Sequence, residues 1–179
     1  MNKGYFLLLF IVLGLVATAC SKKDSKSAES QSAVGSSAEL STVAPDFTLK
    51  DLTGKNISLS DYKGRVILLE FWATWCPPCK ASVPILVELK KKYEQRGFIV
   101  IGVSIDTDSD ASDIVRQFSA SYNINYPVVM ADEMIQKKYN IISVPTSFLI
   151  GKDGKIVDIY KGYSEELDGK LSAQIEALL

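Results

Sequence analysis

Histidine is absent from this chain of 179 residues, and cysteine occurs only three times. A structural zinc site takes four Cys or His ligands, so a single copy of the chain cannot assemble one. A c-type haem attachment is excluded too, because Lys80 stands where a histidine would have to follow the second cysteine of the pair at 76 and 79. Charge of one sign is also lacking: 20 Lys and Arg against 21 Asp and Glu leave a formal net charge of -1. That balance gives no electrostatic reason to expect nucleic acid or an anionic ligand. There are no internal repeats and no glycine-rich phosphate loop; Gly97 and Gly102 are spaced for a turn and a strand, not for a dinucleotide fingerprint.

What is present is a dithiol, Trp75-Cys76-Pro77-Pro78-Cys79, placed between an apolar run at 66–71 and a stretch of helical periodicity. At the start of a helix the first N–H groups lack intrahelical partners and the macrodipole is positive, so a thiolate at Cys76 is stabilised. Only the thiolate attacks a disulfide, and a cysteine pKa lowered from about 8.5 to between about 3.5 and 7.5 makes it a nucleophile near neutral pH. Cys76 is therefore the expected attacking sulfur. Cys79, one turn on, is the expected resolving sulfur, which breaks a mixed disulfide by closing the Cys76-Cys79 bridge. Pro77 suits the first helical turn. Pro78 removes a second donor from the thiolate, which favours a reducing couple. The alternative is a purely structural bridge, but one closing so short a loop constrains the unfolded chain little.

The third cysteine lies elsewhere. Lys3, an apolar run at 5–16 and then Ala17-Thr18-Ala19-Cys20 follow the order of a secretory signal. The run falls short of the roughly 20 residues that span a bilayer. Small residues followed by cysteine resemble the bacterial lipoprotein processing site, which makes 1–19 a signal peptide and Cys20 an acylated anchor; a plain secretory signal and an uncleaved anchor are the alternatives. Export to an oxidising compartment suits disulfide chemistry. Residues 20–43 are rich in Ser, Ala, Lys, Glu and Gly with little to bury, and are expected to be a flexible tether with a reach of roughly 25 to 30 Å. A surface loop would have the same composition.

Residues 44–179 form one domain of roughly 135 residues, large enough for its own core. Strand signals at 47–49 and 57–59 flank a turn at 51–55 and predict a hairpin. The run at 66–71 fits a strand covered on both faces. Val83, Leu86, Leu89 and Tyr93 recur at helical steps over 77–96, with Pro84 inside as an expected kink. A second buried strand is predicted at 98–105, then a helix at 112–121 with Ile114, Val115 and Phe118 on its apolar face, a strand at 128–130 and a short helix near 132–139. Strands at 147–150 and 156–160 flank a turn at 152–155, and a helix begins at Ser164. The predicted class is α/β, a mixed sheet flanked by helices.

From Ala44 onward the chain resembles the thioredoxin superfamily, and within it the TlpA/ResA-like group of membrane-tethered thiol-disulfide oxidoreductases, redoxins related to the AhpC/TSA proteins. Three features beyond the dithiol carry the likeness. Ala44-Pro45-Asp46-Phe47-Thr48-Leu49, followed by Gly54 and by Ser58-Leu59-Ser60-Asp61-Tyr62-Lys63-Gly64, is similar to the N-terminal extension shared by this group and the peroxiredoxins. Phe71-Trp72-Ala73-Thr74-Trp75, with Pro84 five residues after Cys79, resembles the thioredoxin active-site helix and its approach. Val144-Pro145-Thr146 resembles the loop whose proline is cis in the superfamily. The resemblance implies a thioredoxin fold with an N-terminal hairpin extension and a central helical insert at about 106–125.

It also implies roles. Glu70, six residues before Cys76, stands where thioredoxins place a buried carboxylate; desolvation would raise its pKa and let it take the proton of Cys79. A strand-edge glutamate is the alternative. A cis Pro145 would turn the chain beside the sulfurs, leaving the Val144 backbone to pair with an extended substrate segment; otherwise Pro145 is a turn proline before a strand. Trp72 and Trp75 are core aromatics, or Trp75 rims a docking surface. Trp75, Pro77, Val144 and Pro145 are thus the candidate substrate contacts. Ser82 stands where some members devoted to cytochrome c maturation carry an acidic residue, a departure that argues against a dedicated apocytochrome reductase. The implied function is an exported, monomeric reductase of disulfides in extracytoplasmic proteins, anchored through Cys20 and recharged by a membrane thiol reductant of the DsbD/CcdA kind. No metal, and no cofactor beyond the sulfurs, is expected. Two other functions compete with it. A thiol peroxidase would need Thr or Ser three residues before the reactive cysteine, where Ala73 stands; a metal-delivery protein of the copper-chaperone type would use the missing histidine.

Overall fold

The computed structural model describes residues 42–179, so the expected signal peptide, Cys20 and the tether up to residue 41 lie outside the described residues. Thr42 and Val43, which composition places in the tether, already belong to the domain: Ile156 N–H donates to the Thr42 carbonyl at 3.0 Å, and Val43 bridges Lys155.

The chain first makes the predicted hairpin, β1 (Thr48–Lys50) and β2 (Asn56–Ser58), paired antiparallel. Asp51 organises its turn, Oδ1 accepting from the N–H groups of Thr53 and Lys55 at 2.8 and 2.9 Å, and Gly54 takes the positive φ of 86° that the turn needs. A five-stranded sheet follows, built from β3 (Val66–Trp72), β4 (Phe98–Ser104), β5 (Val128–Met130), β6 (Thr146–Ile150) and β7 (Ile156–Lys161), in the order β5-β4-β3-β6-β7. β3 runs parallel to β4 and antiparallel to β6, which makes the sheet mixed. All seven residues of β3 are buried, as expected of a central strand that is apolar at every position but Glu70.

Alternation along β3 assigns its side chains to two cores. Val66, Leu68 and Trp72 face α1 (Pro77–Tyr93), α2 (Ala111–Ser121) and α4 (Leu167–Leu178); Ile67, Leu69 and Phe71 face the hairpin and α3 (Glu133–Lys138). Glu70 shares parity with Leu68 and Trp72 and so points to the side on which α1 lies.

α1 buries Cys79, Ser82, Val83, Leu86, Leu89 and Tyr93, carries Lys90, Lys91 and Lys92 in its last turn, and continues across Pro84. A 3-10 turn at Glu94–Arg96 then leads to Gly97 at φ 95°, the left-handed residue that ends it. α2 occupies the expected insert. Its inner face is Val115 and Phe118, whereas Ile114, predicted to join them, is exposed. α4 starts at Leu167 and not at Ser164, because Gly162 at φ 77° and the residues after it form a turn first. The sandwich of mixed sheet and flanking helices is the thioredoxin fold.

Candidate active site

Cys76 is the N-cap of α1, and it is bonded to Cys79 with Cα atoms 5.3 Å apart, inside the normal span of a disulfide. Pro77 and Pro78 fill the first two helical positions. Neither has an N–H, so the first donor the helix offers is that of Cys79, directed at Cys76 Sγ over 3.2 Å. Cys76 keeps 3% of its surface exposed and Cys79 none. A reagent arriving from solvent therefore meets Cys76 first.

Near that sulfur lies the Val144–Pro145 loop proposed from sequence. The Val144–Pro145 peptide bond is cis. The Val144 carbonyl oxygen lies 3.6 Å from Cys76 Sγ, and Pro145, buried, is fixed from behind by Gly162 N–H donating to its carbonyl at 2.8 Å. The two tryptophans separate. Trp72 is buried against Phe118, ring centroids 4.9 Å apart, and belongs to the core; Trp75 is 62% exposed beside Cys76 and is not a core residue. Pro77 and Pro78 are exposed on the same rim.

Glu70 is 1% exposed, which removes the strand-edge alternative. Its Oε1 accepts from Ser82 Oγ at 2.8 Å, and its Oε2 has no partner among the described residues. Burial dominates its acidity and the single hydrogen bond opposes it, so the carboxyl is pushed up from 4.5 to about 7. A group there exchanges its proton near neutral pH.

Two residues that hold the site are not assigned that role from sequence. Asp106, buried at the end of β4, accepts from Thr74 N–H at 3.1 Å, Thr74 Oγ1 at 2.6 Å and Ser104 Oγ at 2.7 Å, and so pins the loop that delivers Trp75 and Cys76. Ser82 joins Glu70 to α1. Asp106 lies 32 residues from Thr74; the one mark Ser82 bears is that of a small polar residue on a helix face otherwise apolar.

Among the described residues no helix is long and apolar enough to cross a membrane. Residues 40–159 match the AhpC/TSA family. The chain is 42% identical over 127 residues to "Thiol-disulfide oxidoreductase ResA" of Bacillus thuringiensis subsp. konkukian, an alignment covering 69% of this chain and 70% of that protein. It is 37% identical over 130 residues to "Thioredoxin-like protein YneN" of Bacillus subtilis, covering 72% and 76%. Among solved structures, one from Chlorobium tepidum described as a putative thiol:disulfide interchange protein DsbE superposes with a TM-score of 0.73 at 33% identity, covering 78% of this chain and 97% of that one. With a disulfide at the mouth of α1 and relatives of this kind, the chain belongs to the AhpC/TSA family and is a thioredoxin-fold protein-disulfide oxidoreductase of the ResA-like type.

Proposed function

We propose that this oxidoreductase is exported, held at the outer face of a bacterial membrane through acylated Cys20 and the tether that follows it up to residue 41, and reduces disulfides in other extracytoplasmic proteins, apocytochrome c being one candidate substrate. The observation that carries the redox chemistry is the Cys76–Cys79 pair at the N-terminus of α1, with the Val144 carbonyl 3.6 Å from Cys76 Sγ.

In the reducing direction the Cys76 thiolate attacks one sulfur of the target disulfide. A Cys76–target bond forms, the target S–S bond breaks, and the other target sulfur leaves as a thiolate. The Glu70 carboxylate then takes the proton of Cys79. The Cys79 thiolate attacks Cys76 Sγ, the bridge closes, and the second target sulfur leaves; two electrons have passed to the target. Trp75 and Pro77 form the apolar rim against which the target lies, and the Val144–Pro145 backbone aligns its extended segment. A membrane thiol reductant of the DsbD/CcdA kind returns the electrons by the same exchange, so the protein works as a monomer with no cofactor beyond its sulfurs. Supporting the reducing direction is the first turn of α1, where two prolines leave one N–H for the Cys76 sulfur.

The test replaces Cys79 with Ser in the native host and identifies the proteins held on Cys76 as mixed disulfides. Exported disulfide proteins are expected, with apocytochromes among them if haem-protein assembly is the role. An empty trap with retained peroxide turnover would establish the peroxidase alternative instead, against which the buried Ala73 already stands where that chemistry uses a hydroxyl. Mass spectrometry of the mature N-terminus checks the anchor, and an unmodified Cys20 refutes it.

A further inference from the structure

Ser82 is fully buried on α1, three residues after Cys79, and its one hydroxyl proton faces two acceptors: Glu70 Oε1 at 2.8 Å and the Cys79 carbonyl oxygen at 2.9 Å. A serine serves one acceptor at a time but can itself accept. With Glu70 ionised, the stronger arrangement is the charge-assisted bond from Ser82 to the carboxylate. With Glu70 protonated, the carboxyl O–H donates to Ser82 Oγ and the hydroxyl turns to the Cys79 carbonyl. Each protonation state of Glu70 thus has its own satisfied setting of one hydroxyl, on the helix turn that carries the resolving cysteine.

Among the described residues nothing else competes for the carboxyl, and its second oxygen has no partner there. Across β4 the residue opposite is Gly102, and across β6 it is Ser147. The titratable neighbour is Tyr126, whose buried hydroxyl also has no partner and whose ionisation is pushed well above its ordinary value, by burial first and by the Glu70 charge second. Trp72 Nε1, two positions along the strand, is a neutral donor without an acceptor. No lysine or arginine among the described residues forms an ion pair with Glu70; burial and Ser82 are the influences on its acidity.

We propose that Ser82 is a positioning residue, which sets the pH at which Glu70 exchanges its proton with Cys79 and ties that carboxyl to the first turns of the cysteine helix. This rests on Glu70 being the proton acceptor of the reaction. Ser82 favours the ionised carboxyl while burial opposes it, so removing the hydroxyl moves the exchange to higher pH. The loss of one hydrogen bond to a charged group corresponds to a rise of about one pH unit in the midpoint.

The experiment follows the Glu70 carboxyl by carbon-13 NMR in the oxidised full chain as pH is varied, for wild type, Ser82→Ala and Ser82→Thr. In parallel, the pH dependence of Cys76 release is measured from its mixed disulfide with thionitrobenzoate, an aromatic thiolate whose departure is coloured. Ser82→Ala should raise both midpoints by about one pH unit, Ser82→Thr should stay with wild type, and in the Glu70→Gln background Ser82→Ala should leave the release profile unchanged. A carboxyl midpoint unmoved in Ser82→Ala, or a Thr variant that tracks Ala, overturns the inference without touching the role of Glu70. A release profile that survives Glu70→Gln removes that role itself.

Discussion

Replacing Glu70 with Gln should stabilise the oxidised protein at alkaline pH and slow the reaction it performs. The carboxyl is 1% exposed and burial pushes its pKa up from 4.5 to about 7. Between those two values the folded protein binds a proton that the unfolded chain has released, so stability falls as pH rises. The contribution is fully present below about pH 4.5 and is lost once pH passes about 7. The loss amounts to about 3 kcal/mol, because each pH unit of that interval is worth roughly 1.36 kcal/mol. Glutamine keeps the shape and the acceptor for Ser82 but carries no charge. Urea unfolding of oxidised wild type and Glu70→Gln, compared from about pH 4 to about pH 8.5, should show matching stabilities at the acid end and a variant more stable by about 3 kcal/mol at the alkaline end. The same substitution should remove the near-neutral step in mixed-disulfide release. A stability difference that stays flat across the range would refute the reasoning, because it would mean that Glu70 is ionised at no cost in the folded state.

Trp75 and Asp106 test the two sides of the site. Trp75→Ala removes a ring that is 62% exposed, so folding stability should stay within about 0.5 kcal/mol of wild type, while exchange with a protein disulfide should slow roughly five- to tenfold and exchange with a small aromatic disulfide should not; equal losses on both substrates would remove the rim from the mechanism. Asp106→Ala strands Thr74 N–H, Thr74 Oγ1 and Ser104 Oγ together, and the urea midpoint should fall by the equivalent of about 2 to 3 kcal/mol with lower reactivity of Cys76. A change near zero would show that the Thr74 loop is held by something else.

The elements were legible because each is specified by chemistry within its own segment. The run at 66–71, apolar but for Glu70, fitted a strand covered on both faces, and it became β3 (Val66–Trp72) with every residue buried. The steps of three and four through Leu86 and Leu89 became the inner face of α1, and the dithiol followed from its place between the two. The same run hid what matters most about Glu70. With both faces of a strand largely apolar, alternation carries no mark of which face receives which helix, so only the family resemblance pointed Glu70 towards Cys79, and its contact with Ser82 could not be read. Trp72 and Trp75 are three positions apart and equally hydrophobic, and their fates diverge only because the strand ends between them. Asp106 supports Thr74 across 32 residues, a distance over which one sequence carries no pairing signal.

A carboxyl buried to 1% exposure, with one hydroxyl hydrogen-bonded to it, is poorly placed for stability and titrates where proton exchange at neutral pH is feasible. A second donor on Glu70 Oε2, or a lysine beside it, would favour the ionised form and return its acidity towards the ordinary carboxylate range, where it would hold no proton at neutral pH and accept one reluctantly. Removing the Ser82 hydroxyl would push it the other way, so that a smaller fraction of the group is ionised, and able to accept, at neutral pH. The observed arrangement, one oxygen bonded and one not, lies between these limits. If Glu70 is the acceptor of the Cys79 proton, as proposed, the destabilisation of the charged interior and that competence have one physical cause, and no substitution at Glu70 that relieves the first should preserve the second.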